Sequence, residues 1–204
     1  MTERETKAFI IRQLQILGQD ECIDALSAYL GDESLSGPAS RALAAIGSEN
    51  AAKALKAGLM RRMGTPKTQK DIIVAIGEAQ VADSEELLKA LLGSGDESMQ
   101  KAVLHSLSRV GSKASIKDMA EAAAASGYTM TKTNANEAYI ALLKRVAAQG
   151  DVKEVEKAAN DLLKKATKAN QTQTRDAALQ ILLSLKKENS TKLLLSALKD
   201  GIPM

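Results

Sequence analysis

Apolar positions along this chain recur at steps of three and four residues rather than two, which is the period of a helix and not of a strand. The clearest stretch is Pro38 to Leu59, PASRALAAIGSENAAKALKAGL. Ala39, Ala42, Leu43 and Ile46 share one face. After a turn at Gly47-Ser48, Ala51, Ala54, Leu55 and Leu59 share another. Gly37-Pro38 opens the first segment, because proline costs nothing in a first turn that lacks an N–H partner anyway. Gly47 closes it, because a residue without a Cβ fits a left-handed helix end. Neither segment is long enough to be a stable helix alone, so each must bury its apolar face on a neighbour.

Variants of this unit recur, and the pattern predicts twelve helices in six pairs: 5–17 with 20–30, 38–46 with 49–63, 66–79 with 84–92, 97–110 with 113–126, 135–149 with 152–169, and 172–187 with 190–199. In the first pair Ala8, Ile11, Leu14 and Leu17 are expected to face inward, as are Ile23, Leu26 and Leu30. Thr65-Pro66 reads as a cap followed by a first-turn proline. Asp83 with Glu86, Asn134 with Glu137 and Asp151 with Glu154 read as capping-box-like starts. Nine of the thirteen glycines fall where a predicted helix stops: Gly18, Gly31, Gly47, Gly64, Gly93, Gly111, Gly127, Gly150 and Gly201. Segment 127–133, GYTMTKT, is the most irregular connection, and the helices after it are longer. The expected organisation is one repeat domain over 1–204, with regular repeats one to four in 1–126, a joint at 127–133, and longer-helix repeats five and six in 134–204.

Composition supports an all-α reading. The only aromatic residues are Phe9, Tyr29, Tyr128 and Tyr139, whereas sheets favour aromatic and β-branched side chains. The net charge of +3 is unevenly spread: 1–50 holds four basic and eight acidic residues, and 101–204 holds seventeen basic and ten acidic. Charge graded this mildly is what a solvated surface presents. A single cysteine, Cys22, excludes an internal disulfide framework. MTERETK does not open a signal peptide, and no apolar run reaches the ~18 residues of a membrane span. The implied location is cytoplasmic if the chain is complete, while an exported parent stays open if it is a fragment.

Candidate chemistry is sparse. One histidine, His105, and one cysteine offer no clustered metal set, and they fall on different predicted pairs, which argues against a nucleophile–base couple. Gly93-Ser94-Gly95-Asp96 lacks the Lys-Ser/Thr of a phosphate loop and reads as a turn. No cofactor is implied. Residues 51–70 carry Lys53, Lys56, Arg61, Arg62, Lys67 and Lys70 with no acid until Asp71. Such a run suits phosphates, though it has no aromatic platforms for bases.

The periodic unit resembles HEAT-like repeats of the short kind first noted in phycobilisome lyases. Asp32 leads to Leu35-Ser36, Ala39, Ala42-Leu43, Ile46-Gly47 and Leu55…Leu59; Asp96 leads to Met99-Gln100, Val103, Ser106-Leu107 and Val110-Gly111. Leu14, Leu17-Gly18 and Ile23 repeat it near the start. Ala75-Ile76-Gly77 repeats it in pair three, with Gln80 where the last glycine would stand, and pair six follows through Thr174-Arg175, Ala177-Ala178 and Ile181-Leu182. In this register the steps from 18 to 47, 80 and 111 are 29, 33 and 31 residues. The family's apolar–Arg step is mostly replaced, by Lys7, Ser36, Thr68-Gln69 and Gln100, and only Arg175 keeps the charge.

The resemblance implies a right-handed α-α superhelix, a solenoid of about six HEAT-like helix pairs. It also implies that the first helix of each pair lines the concave side, where Arg12, Arg41 and His105 would point into one groove, in register with Val74 and Gln180. The expected function is a non-enzymatic scaffold binding a protein or peptide on that face, with further repeats or domains able to stack on either end in a longer parent. Nucleic-acid binding through residues 51–70 is a second reading. A lyase-like, chromophore-binding role is a third, resting on family analogy alone.

Overall fold

A computed structural model describes residues 2–185. Among them are eleven α-helices and no strand: α1 Glu3–Leu17, α2 Ile23–Ser27, α3 Ser36–Ile46, α4 Glu49–Met60, α5 Pro66–Glu78, α6 Glu85–Lys89, α7 Glu97–Val110, α8 Ile116–Ala125, α9 Ala135–Ala148, α10 Val152–Lys168 and α11 Thr172–Leu185. Single 3-10 turns, Asp20–Cys22 and Lys113–Ser115, lead into α2 and α8. The all-α expectation holds for these residues, but α7 and α8, expected as one pair, fall in different packing units. The second helix of pair six, expected over 190–199, lies outside the described residues, as does Gly201.

The chain packs as two compact units. The first contains α1 to α7 and is joined by Lys132–Asn134; the second contains Ser112–Thr131 and the helices from α9 onward. In the first unit α1, α3, α5 and α7 stack side by side as a row of first helices, and α2 packs on α4 behind them. In the second, α8 packs on α9, while α10 packs on α9 and α11. Adjacent pairs therefore supply each other's dry interior. Leu43, Leu55, Ile72, Ile76, Leu88 and Leu107 are fully buried in the first unit, and Met119, Leu142 and Leu143 in the second. Each such side chain contributes about 1.5–3 kcal/mol relative to exposure.

Local chemistry explains the corners. The Asp32 carboxylate accepts the Ser34 and Leu35 N–H groups at 2.8 and 3.0 Å and turns the chain into α3. Gly47 then sits at φ 66 and caps α3, and the hydroxyl of the next residue, Ser48, accepts the Ala51 N–H to start α4. Asp96 caps α7 through the Met99 N–H at 2.8 Å.

Five helices end in one pattern, in which a positive-φ residue just past the helix donates two residues back from the end and its successor donates three back; Gly150 does so after α9. In the other four that residue is Gly127 after α8, but Arg62 after α4, Gln80 after α5 and Asn170 after α10. Gln80, the residue standing at the missing glycine, thus has the backbone a glycine would have, at φ 50.

Some expectations fail. Helix α4 stops at Met60, held by Arg62, so Gly64 lies in the connection beyond rather than at the helix end. Asp83 is not the cap of α6; it takes φ 57, and Ser84 occupies the cap position with no side-chain bond to the helix. Asp151 does cap α10 in position, but its carboxylate is turned to Lys113. Leu17 is 74% exposed, because α1 has a neighbouring first helix on one side only, α3.

The row of first helices is tightest between α5 and α7. A Cβ on Gly77 would lie 2.8 Å from the Ser106 backbone Cα and 2.5 Å from its hydroxyl oxygen. Gly77→Ala is expected to destabilise the chain by about 1–3 kcal/mol in urea titration, since the repeats must separate to admit a methyl. Gln80→Gly is expected to stabilise it by up to about 1 kcal/mol, the left-handed penalty of a side chain less glycine's own entropy cost.

Candidate functional site

Arg12, Arg41 and His105 are all exposed, on α1, α3 and α7 of the stacked first-helix row. They follow the repeat spacing, with half-buried Val74 holding the same place on α5. The Arg41 guanidinium lies against Gly37, where the Asp71 carboxylate of α5 also lies. Asp71 accepts the buried Ser36 hydroxyl at 2.5 Å, a polar contact between successive repeats. Gln180 is exposed on α11 in the second unit.

The six basic residues of 51–70 are divided among α4, the connection that follows it and α5. Lys53 pairs with Glu49 one turn earlier at 2.6 Å, and the Lys56 ammonium donates to the Ala82 carbonyl at 3.4 Å. Lys53 and Arg61 border a groove of about 780 Å³ between α2 and α4, whose opposite wall carries Asp20, Glu21 and Asp24. Asn50 donates to the Asp20 carboxylate at 2.9 Å, and hydrogen bonds from Ser48 and Asn50 hold that carboxyl below the usual carboxylate range. Lys67 and Lys70 border no part of this groove; they donate to the Glu33 carbonyl and, at 3.0 Å, to the Ser98 hydroxyl. Arg62 is exposed and serves as the left-handed end of α4.

Ties between neighbouring first helices run through hydroxyls, an amide and one arginine. Ser106 donates to the Ile73 carbonyl at 2.8 Å. Arg109 donates to the Gly77 carbonyl at 2.8 Å and places its cation at the C-terminal end of α5, where the helix dipole favours it. In the second unit the buried Asn136 amide donates to Thr174 at 2.7 Å, and Thr174 donates to the Tyr128 carbonyl at 2.7 Å. Among the described residues no group of three or more His, Cys, Asp or Glu side chains converges as a metal set, and no helix is long and apolar enough to cross a membrane.

The family model for HEAT repeats matches residues 59–140. That stretch, from the end of α4 into α9, is similar to HEAT repeats. The match is to HEAT repeats in general and does not reach to the phycobilisome-lyase kind. Searches of curated proteins and of solved structures returned no match. In HEAT-like terms, positions where the family carries its arginine here hold Ser36 and Thr68, both fully buried. Ser36 bonds across to the next repeat, and Thr68 donates to the Met63 and Thr65 carbonyls within its own turn, each at 2.8 Å. Short hydroxyls do at close range what a long charged side chain does at a distance.

Sequence reasoning named Arg12, Arg41 and His105 but missed Asp71, Arg109, Asn136 and Thr174. A polar residue inside an otherwise apolar helical stripe is the signal that could have found Asn136 and Thr174. Thr174→Val keeps the shape but leaves the Asn136 amide and the Tyr128 carbonyl without their partner. It is expected to lower stability by about 1–3 kcal/mol in thermal or urea unfolding, more than a surface Thr172→Val change.

Proposed function

We propose that this chain is a non-enzymatic protein-interaction scaffold that holds a protein or peptide along the exposed face of its first-helix row. HEAT repeats are in general scaffolds of this kind, and a stack of hairpins yields a long polar face on a rigid frame. The observation that carries the reading is the register of Arg12, Arg41 and His105: three exposed, hydrogen-bonding side chains one repeat apart or two, on helices packed in sequence. Such a row offers repeated anchor points to an extended partner.

Nucleic-acid binding through Lys53, Lys56, Arg61, Arg62, Lys67 and Lys70 has less support. Acids line the groove that Lys53 and Arg61 share, and four of the six cations already have partners in the chain. A chromophore role draws on no feature of the geometry.

The test uses photocrosslinking labels on α1 and α3, next to Arg12 and Arg41, in extract from the source cells. A discrete partner is expected, and its recovery is expected to fall about tenfold, the equivalent of 1.4 kcal/mol, in Arg12→Glu/Arg41→Glu/His105→Glu while the far-ultraviolet spectrum is unchanged. Labels that capture nothing, or capture undiminished by these changes, would count against the reading.

A further inference from the structure

The second unit carries a surface of its own. Helix α8 packs on α9, and α10 packs on α9 and α11, leaving between α8 and α10 a groove of about 920 Å³ with Tyr139 of α9 at its base. Its apolar lining is small: Ile116, Ala120, Ala124 and Ala158. The lining stretch of α10 runs from Glu154 to Lys165, about 17 Å or three turns of helix.

One end of the groove is bridged by the ion pair between Lys113 and Asp151 at 2.9 Å, which ties the start of one wall to the start of the other. Beside the base, Lys165 pairs with Asp161 at 2.8 Å, and Lys117 faces Glu121 at 3.9 Å. That leaves Lys157 and Lys164, two turns apart on the α10 rim, exposed and without an ionic partner among the described residues. Lys153 and Lys168 extend the same edge at helical spacing, also exposed. The rim therefore presents a net positive edge, interrupted by Glu154 and Asp161, above an aliphatic trough.

We infer that the α8–α10 groove docks an acidic amphipathic helix, with its aliphatic face on Ile116, Ala120, Ala124 and Ala158 and its carboxylates against Lys157 and Lys164. The dimensions suit a helix of a few turns, laid with one side apolar and one charged. A nucleic acid fits less well. Glu121, Glu154 and Asp161 interrupt the positive charge where a continuous phosphate backbone would pass, and Tyr139, only 3% exposed, offers no stacking platform. This inference goes beyond the proposed use of the first-helix row and concerns a different surface, so the two can fail separately.

The experiment is fluorescence anisotropy with the full chain and a panel of labelled helical peptides of Leu, Ala and Glu, each matched by a version with Lys for Glu, plus a single-stranded DNA of equal charge. At low salt the acidic peptides are expected to bind and the Lys versions and the DNA not to. Lys157→Glu/Lys164→Glu is expected to weaken binding about tenfold or more. Ala124→Trp, an exposed change that fills the trough, is expected to weaken it too, while Arg41→Glu leaves it unchanged. Absence of binding across the acidic panel, binding indifferent to both groove variants, or DNA bound through the same lysines would each overturn the assignment. Retention of the helical spectrum in the variants removes misfolding as the cause of any loss.

Discussion

No helix pair in this chain can hide its apolar face by itself, and the rest of the structure follows from that. Helices α2 and α6 have only five residues each, far too few to persist alone, yet Leu26 and Leu88 on them are almost wholly inaccessible to water. Their order is bought by neighbours. The requirement for close stacking then sets the residues at the contacts. Gly58 meets the Leu30 side chain of the previous pair, Gly64 meets Gly31, and Gly77 meets Ser106. Repeats approach within backbone distance only where one of the two surfaces is bare.

Close approach also decides the polar chemistry. One long arginine, Arg109, spans repeats to the Gly77 carbonyl. Elsewhere short polar side chains reach directly: Ser36 to Asp71, Ser106 to Ile73, Asn136 to Thr174. These groups are buried, and leaving any of them without a partner would cost more than the bond itself contributes. They therefore fix the register of one repeat on the next, a matter the apolar contacts alone leave loose.

Much of the fold was legible, because helical period and capping chemistry are local. Ser48, Thr65-Pro66 and Asp96 mark true helix starts, and Gly47 marks a true end. What local reasoning misread were ends made by other residues. Arg62 and Asn170 take the left-handed position because two backbone hydrogen bonds outweigh the steric cost, so searching for glycine shifted the end of α4 by three residues. Leu17 was misjudged for a different reason: periodicity says which residues share a face, not whether a neighbour covers it. The candidate residues divide the same way. Arg12, Arg41 and His105 could be named from the repeat register, whereas Asp71 and Arg109 gain their roles from contacts some thirty residues away.

The two surfaces that emerge differ in kind, and the difference traces to packing. Along the first-helix row of one unit, neighbours are in contact throughout, so the surface is a face whose polar groups are partly spent on holding the repeats in register; Ser36 bonded to Asp71 is an instance. In the other unit α8 and α10 rest on a shared helix and leave a trough between them, with a partly exposed aliphatic lining and with Lys157 and Lys164 on its rim. A face of the first kind suits an extended partner that touches many repeats lightly. A trough of the second kind suits a compact one that supplies the missing apolar surface and the missing negative charge together. A single repeat architecture thus offers two kinds of surface, set by whether neighbouring helices meet or stand apart.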